Sequence, residues 1–241
     1  MRRLKKVRQL EFCFPVGHGG ARKGAGRIRQ GPRACVRHRT RETFSQQRVL
    51  HITCRITAGL PSLRAPKTVA LLFNYLARKV EREGFRIVEF SIQGNHIHLL
   101  CEADNQEALS QAMNGILSGM ARRLNRHWHR AGKVFADRYH AEAISTPTQC
   151  HNALIYVLAN AKKHGSRPID SGIDPCSTAA WFPFDSDNPP HPLKHHPKPA
   201  AQPQSWLLRD GWRKIGPLTP HDHPHIPKNH LRQKRKTARP Q

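Results

Sequence analysis

The stretch FRIVEFSIQGNHIHLLCE, residues 85–102, consists of two alternating segments separated by a short polar turn. Alternation of apolar and polar residues is typical of β-strands that bury one face. Gly94 and Asn95 supply the turn, so the two segments are expected to pair antiparallel as a hairpin. Side chains alternate along a strand, which places His96 and His98 on one face and Ile97 on the other. The stretch therefore predicts a hairpin that presents two histidines side by side.

The segment before this hairpin predicts a strand followed by a helix. Residues 49–56 read VLHITCRI, in which four apolar residues share one face and three polar residues share the other. The apolar set is Leu50, Ile52, Cys54 and Ile56, and the polar set is His51, Thr53 and Arg55. Apolar residues at helical spacing then follow from Pro66 to Glu83, with Gly84 as a stop signal. In the first strand of the hairpin we expect Val88, Phe90 and Ile92 to share one face.

The segment after the hairpin predicts a helix, a strand and a final helix. Asp104 and Asn105 are candidate N-caps for a long helix from Glu107 to about Arg130, whose last turns read ARRLNRHWHR. A strand is predicted over 134–144, and a helix begins at Thr146-Pro147 and extends to about Lys163. The order is that of an α+β, ferredoxin-like βαββαβ unit with an appended C-terminal helix. Both main helices should cover one face of an antiparallel sheet, which leaves the histidines on an open face.

Composition divides the chain into three parts and indicates a polyanionic partner. The formal net charge is +25 and the sequence pI is about 11.0, which favours nucleic acid. Residues 1–48 form a basic, Gly/Arg-rich arm expected to be flexible, residues 49–182 form the folded domain, and residues 183–241 form a Pro/His/Lys-rich tail expected to be largely disordered. The sequence contains no apolar run long enough to cross a bilayer. The six cysteines lack a C-x-x-C pair, which argues against a zinc module and fits a reducing cytoplasm.

The two histidines alone leave two interpretations open. Imidazoles two residues apart on a strand can bind one divalent ion, or they can be polar residues on an exposed face. The last helix adds a second constellation, because Tyr156 and Asn160 are four residues apart and project from one side. A tyrosine hydroxyl can attack phosphorus, and an amide oxygen can complete a metal site. A tyrosine buried for packing alone remains the alternative for Tyr156.

Four motifs in this order resemble the HUH-type single-tyrosine transposases, and in particular the REP-associated tyrosine transposases (RAYT). They are LHITCR, GNHIHLL, FADRYHAEAI and IYVLANAKKHG, spread over about 130 residues. One departure is Ala161, where the family usually has proline after its asparagine. The resemblance implies the ferredoxin-like fold and a bacterial, cytoplasmic, DNA-associated enzyme that acts as a monomer or homodimer.

The resemblance also implies roles for individual residues. Tyr156 would be the nucleophile, and His96, His98 and Asn160 would bind Mg²⁺ or Mn²⁺. The protein would cleave and rejoin single-stranded or hairpin-bearing DNA through a 5′-phosphotyrosine intermediate. Candidate DNA contacts are basic or polar residues on the predicted sheet, helices and loops: His51, Arg55, Arg122, Arg123, Arg126, Arg138, Lys162 and Lys163. His51 and Arg55 could instead support the strand that carries the two histidines.

Three alternatives stay open from sequence. Tyr139, in FADRYHAEAI, is a second candidate nucleophile, and His140 and Glu142 should lie on the face opposite to it. The chain could instead be a domesticated DNA-binding protein without catalysis. It could also be a metal-dependent phosphoesterase in which water, rather than tyrosine, attacks the phosphate.

Overall fold

The computed structural model describes residues 43–159, 173–184 and 198–222. Five strands and three main helices lie in the first of these ranges. Their bounds in chain order are β1 (Arg48–Arg55), α1 (Pro66–Ala77), β2 (Glu81–Arg82), β3 (Phe85–Ile92), β4 (His96–Ala103), α2 (Gln106–His127), β5 (His140–Ile144) and α3 (Pro147–Leu158). The sequence predictions for residues 1–42, for Asn160 and for Lys162 and Lys163 concern residues outside these ranges.

The strands form one antiparallel sheet in the order β2-β3-β4-β1-β5. Without the two-residue β2, the order β3-β4-β1-β5 is that of a ferredoxin-like βαββαβ unit, in which β4 and β5 flank β1 and β3 pairs with β4. The predicted hairpin is present, and β4 lies in the centre, where it pairs with β3 and with β1. The predicted α+β, ferredoxin-like fold with an appended helix is confirmed.

One face of the sheet, called the first face, is covered by α1 and α2. Ile52, Ile97 and Leu99 lie there, each no more than 1 % exposed, in a core that also includes Leu72 and Met113 from the two helices. The four apolar residues predicted to share a face of β1 all belong to this core. Burial of this apolar surface is the main stabilising contribution to the domain.

The opposite face, called the site face, is not open as the sequence predicted. The helix α3 packs on it, and residues 173–184 and 198–222 add further cover. Leu100 and Val49 from the sheet meet Leu154 and Val157 from α3 in a second apolar core, together with Trp212. Two apolar cores therefore stack on the two faces of the same sheet, and α3 is held against strands of its own chain.

A β-bulge explains why one residue of β3 was assigned to the wrong face. The register of β3 with β4 shifts between Ile87 and Glu89, and Val88 is the extra residue. Val88 consequently joins the second core, whereas Phe90 and Ile92 lie in the first core. A bulge places two residues of one strand opposite a single residue of its partner, so simple alternation fails across it.

Two predicted elements are shorter in the structure. Helix α1 ends at Ala77 instead of Glu83, because the chain turns back at Gly84, where φ is 67°, and residues 81–82 pair with β3. A left-handed backbone of this kind favours glycine. The strand predicted over 134–144 pairs continuously only from His140 to Ile144, with an isolated bridge between Phe135 and Ile56.

The folded domain also extends beyond both predicted limits. Phe44 is buried in the first core, and Arg48 already pairs with Ala103. Residues 198–222, called the C-terminal segment, were assigned to a largely disordered tail, yet Leu207, Leu208 and Trp212 are buried on the site face. Burial of these three apolar side chains offsets the entropy lost on ordering this part of the tail.

Candidate active site

The site is built on the end of β4 that follows the hairpin turn. His96 and His98 lie on the site face, with their ring centroids 4.6 Å apart and their planes at 85°. His98 is only 2 % exposed, whereas His96 is half-buried. Alternation along β4 thus fixes both imidazoles on one side, as the sequence predicted, although α3 partly covers them.

Tyr156 is brought to this pair by α3. Its ring lies edge-on to His98, with centroids 5.1 Å apart, and edge-on to His51, with centroids 5.5 Å apart. The helix begins with a capping box formed by Thr146 and Gln149, which satisfies backbone N–H groups at its first turn. Leu154 and Val157 bury the neighbouring positions, so packing orients Tyr156 toward the histidines.

The other two tyrosines lie on the opposite side of the sheet. Tyr139 is 5 % exposed and belongs to the first core. Tyr75 is 4 % exposed in α1, where its hydroxyl donates a hydrogen bond to the Ile116 carbonyl at 3.1 Å. Burial raises the pKa of Tyr75. The chain contains three tyrosines, and Tyr156 is the one that lies beside the histidines.

His51 lies on the site face and contacts His98 directly. Its Nε2 is 3.1 Å from Nδ1 of His98, and the two rings stack with centroids 5.1 Å apart. Burial, together with the nearby His140, lowers the pKa of His51 to about 4. Desolvation disfavours the charged imidazolium, so His51 is neutral at pH 7. The sequence left open whether His51 contacts DNA or supports the histidine strand, and these contacts tie it to His98.

Thr53 lies on the site face of β1, between β4 and β5, and also contacts His98. The β1 register pairs Thr53 with His98 on one side and with His140 on the other. The Thr53 hydroxyl is 3.1 Å from His98 Nδ1. Thr53 was not among the predicted site residues, although its place beside His51 on the polar face of β1 is readable from the sequence.

The register also settles the faces of β5. Since Thr53 faces the site, its partner His140 does too, and Glu142 lies opposite His51 in the same way. Both residues are exposed. The predicted opposition between this pair and Tyr139 is confirmed, and it is Tyr139 that lies away from the histidines.

The predicted basic residues fall into two groups. Arg55 is exposed and pairs with His96 in the β1–β4 register, so it lies beside the histidines. Arg138 is exposed just before β5. Arg122, Arg123 and Arg126 are exposed on α2, which covers the first face, so the sheet separates them from His98.

The same nitrogen, Nδ1, lies within hydrogen-bond distance of a neighbour in both histidines. Nδ1 of His96 is 2.7 Å from the Asn95 amide oxygen, and Nδ1 of His98 contacts His51 and Thr53. In a tautomer whose Nδ1 carries the proton, Nε2 keeps the lone pair and is the nitrogen that would ligate an ion. An imidazole nitrogen lies about 2 Å from a bound divalent ion, so the centroids of two rings that bind one ion lie roughly 4.5–5 Å apart. The centroids of His96 and His98 are 4.6 Å apart, which fits this spacing.

The rest of the site does not form a closed metal centre. Within the described ranges, no three His, Cys, Asp or Glu side chains form a group able to hold a metal ion. Mg²⁺ and Mn²⁺ commonly take part of their coordination from water or phosphate oxygen atoms. The four described cysteines are buried free thiols, and burial raises the pKa of Cys150 to about 12.

Solved structures of two transposases are similar to the chain. One is a REP-associated tyrosine transposase bound to a REP hairpin, with 15 % identity, a TM-score of 0.46, and coverage of 58 % of this chain and 81 % of that one. The other is a candidate transposase from Deinococcus radiodurans R1, with 16 % identity, a TM-score of 0.36, and coverage of 44 % and 86 %. Comparison with curated proteins gives no significant match.

The sequence also matches a family model. Residues 61–158, from the loop before α1 to the end of α3, match the model of the IS200-like transposases. This range includes both histidines of β4 and Tyr156. Over these residues the chain is similar to the IS200-like transposases.

Within the described part of the chain, no helix is both long enough and apolar enough to span a membrane.

Proposed function

We propose that this protein is a single-tyrosine transposase that cleaves and rejoins single-stranded DNA, with Tyr156 as the nucleophile. The observation that carries the proposal is the contact of the Tyr156 ring with His98, 5.1 Å between centroids, beside His96. Tyr75 and Tyr139 are buried in the first core, which favours Tyr156. The match of residues 61–158 to the model of the IS200-like transposases supports the same class of reaction.

The reaction requires one bond to form and one to break at phosphorus. The Tyr156 hydroxyl loses its proton, and its oxygen bonds to the scissile phosphorus. The bond from phosphorus to the 3′-oxygen breaks, and that oxygen takes up a proton and leaves as a free 3′-hydroxyl. The 5′-phosphate stays on Tyr156 as a phosphodiester. Attack by another 3′-hydroxyl reverses these steps and rejoins the strands.

His96 and His98 would hold a divalent ion through Nε2, and Asn160 is a third ligand in the proposal. A bound Mg²⁺ or Mn²⁺ supplies Lewis-acid polarisation of the phosphate. The protein's own contribution is to orient both imidazoles through their Nδ1 atoms and to limit water around the buried His98. Low exposure of this kind strengthens electrostatic interactions with a phosphate.

DNA would approach the site from the side of Arg55. Arg55 is exposed beside His96, where a guanidinium can donate to a phosphate. The whole chain carries a net charge of +25, so binding should weaken strongly as salt concentration rises. We include hairpin-bearing strands as substrates because the sequence resembles the REP-associated transposases. Arg138 and Lys162 and Lys163 remain further candidate contacts.

An adduct assay with a matched tyrosine control tests the nucleophile. Full-length protein is incubated with a panel of labelled single-stranded oligonucleotides, with and without hairpins, in Mn²⁺ or EDTA, and resolved on denaturing gels. Wild type and Tyr139→Phe should form a covalent adduct in Mn²⁺, whereas Tyr156→Phe should form none. Tyr139 suits this control because it lies in the first core, on the other side of the sheet.

Each of the other outcomes would contradict the proposal in a different way. An adduct that persists in Tyr156→Phe would exclude this nucleophile. Metal-dependent cleavage by Tyr156→Phe without an adduct in wild type would indicate a phosphoesterase that uses water. Binding across the panel that is unaffected by EDTA and never followed by cleavage would indicate a DNA-binding protein without catalysis.

A further inference from the structure

His98 is held in place by contacts from β1 and α3 as well as by its own strand. It is 2 % exposed, and its Nδ1 lies 3.1 Å from both His51 Nε2 and Thr53 Oγ1. The His51 ring stacks against it with an interplanar angle of 28°. Tyr156 lies edge-on to both rings. The ring position of His98 is thus fixed by β1 as well as by β4.

The position of one proton decides which nitrogen of an imidazole can bind an ion. A neutral imidazole has one N–H and one lone pair, and only the nitrogen with the lone pair can ligate. For His96 the Asn95 amide oxygen can only accept, so Nδ1 donates and Nε2 keeps the lone pair. For His98 the choice depends on its neighbours, since a hydroxyl or an imidazole can act in either direction.

We propose that His51 is a positioning residue for His98, in that its Nε2 accepts the Nδ1 proton of His98. The Nε2 lone pair of His98 would then be available to the divalent ion. That His98 binds an ion at all rests on the proposed function. The Thr53 hydroxyl also contacts His98 Nδ1, but it does not determine whether that nitrogen carries the proton, because a hydroxyl both donates and accepts hydrogen bonds. Residues that fix the orientation and tautomer of a ligating histidine in this way are a general feature of metal sites.

The sequence left two roles open for His51, contact with DNA and support of the histidine strand, and the geometry favours the second. His51 lies on a central strand, between β4 and β5, and its Leu100 and Glu142 register partners flank it on both sides. Its Nε2 is engaged with His98, and its ring is packed against Tyr156. A phosphate contact would require that nitrogen to turn away from His98.

The test compares two replacements of His51 with one matched histidine control. His51→Phe keeps a ring that can pack against Tyr156 but removes the accepting nitrogen. His51→Gln offers an amide oxygen as an alternative acceptor. His140→Gln changes an exposed histidine on the same face of the sheet. Circular dichroism establishes that each full-length variant is folded.

The first readout is the tautomer of His98 in metal-free protein. Two-bond ¹H–¹⁵N NMR of the histidine rings should show the proton on Nδ1 of His98 in wild type, His51→Gln and His140→Gln. In His51→Phe a substantial fraction should move to Nε2. A wild-type His98 that carries its proton on Nε2 would overturn the proposal, even if no His51 variant folded.

The second readout is Mn²⁺ binding by calorimetry in the absence of DNA. Loss of a partner of this kind typically weakens metal affinity about 10–100-fold, which is the effect expected for His51→Phe. His140→Gln should bind Mn²⁺ like wild type, and hairpin binding in EDTA should be equal in all four proteins. Unchanged Mn²⁺ affinity in folded His51→Phe would overturn the positioning role. Wild type that binds no Mn²⁺ would instead contradict the metal-assisted function, while the NMR result still decides the role of His51.

Discussion

Replacement of Trp212 by alanine should destabilise the domain, because this residue attaches the C-terminal segment to the site face. The indole is 2 % exposed, its ring centroid lies 5.4 Å from that of Phe182, and its Nε1 donates to the Leu208 carbonyl at 3.2 Å. A buried tryptophan removes about 150–250 Å² from water, which at ~25 cal/mol per Å² corresponds to about 4–6 kcal/mol. Measured losses for such replacements are about 3–5 kcal/mol, so we expect a decrease in that range.

Trp206 provides the matched control from the same segment. It is 47 % exposed, so the same replacement should cost about half as much, near 2 kcal/mol. Urea unfolding followed by far-UV circular dichroism gives the free energy of unfolding of each variant. Hydrogen exchange of the α3 amides should also accelerate in Trp212→Ala, because α3 packs against the segment.

Equal losses in the two variants would refute the reasoning, since they would show that burial of Trp212 adds nothing. A loss below about 1 kcal/mol for Trp212→Ala would mean that the segment is not docked on the sheet in solution. A normal urea midpoint combined with fast exchange in α3 would indicate that only the segment detaches, which would limit its role to holding the helix that carries Tyr156.

Two further outcomes follow from the buried polar groups. Glu102→Gln should lower the free energy of unfolding in urea by about 3–5 kcal/mol, because a broken buried pair leaves an uncompensated charge. The buried Glu102 carboxylate accepts a hydrogen bond from Arg86 at 3.1 Å. Glu81 is an exposed partner of Arg86 at 3.4 Å, so Glu81→Gln should change stability by less than about 1 kcal/mol. For His51, whose folded pKa of about 4 lies below its unfolded value of 6.5, the unfolded state binds the proton first, so stability is lost as pH falls from 6.5 toward 4. That loss is about 2 kcal/mol between pH 7.5 and 5, and a urea-unfolding pH series should be correspondingly flatter in His51→Gln; parallel curves would contradict the assignment.

The elements of the core were predictable because local patterns determine them. Alternation in 85–102 and 49–56 identified the central strands and the shared face of His96 and His98, and Pro66 and Pro147 marked the starts of α1 and α3. Alternation failed at Val88, where a bulge is specified by packing against β4 and not by the residue itself. The end of α1 was missed because pairing of residues 81–82 with β3 competes with further helix, and that pairing is not local.

The candidate site was predictable only in part for the same reason. The H-x-H spacing and the tyrosine on the last helix indicated chemistry, but Tyr139 and Tyr156 could not be separated until the structure placed one in the first core and the other beside His98. The roles of Thr53 and His51 depend on the β1–β4 register, which brings residues 45 and 47 positions apart in sequence into contact.

The sequence by itself determined the α+β order, the hairpin and the shared face of His96 and His98, since strand and helix periodicity are local properties. The tertiary structure alone decided that the site face is covered, that the C-terminal segment packs there and that His51 lies against His98. These features arise because apolar surface on distant segments is buried together, and no local pattern records which distant surface will be the partner.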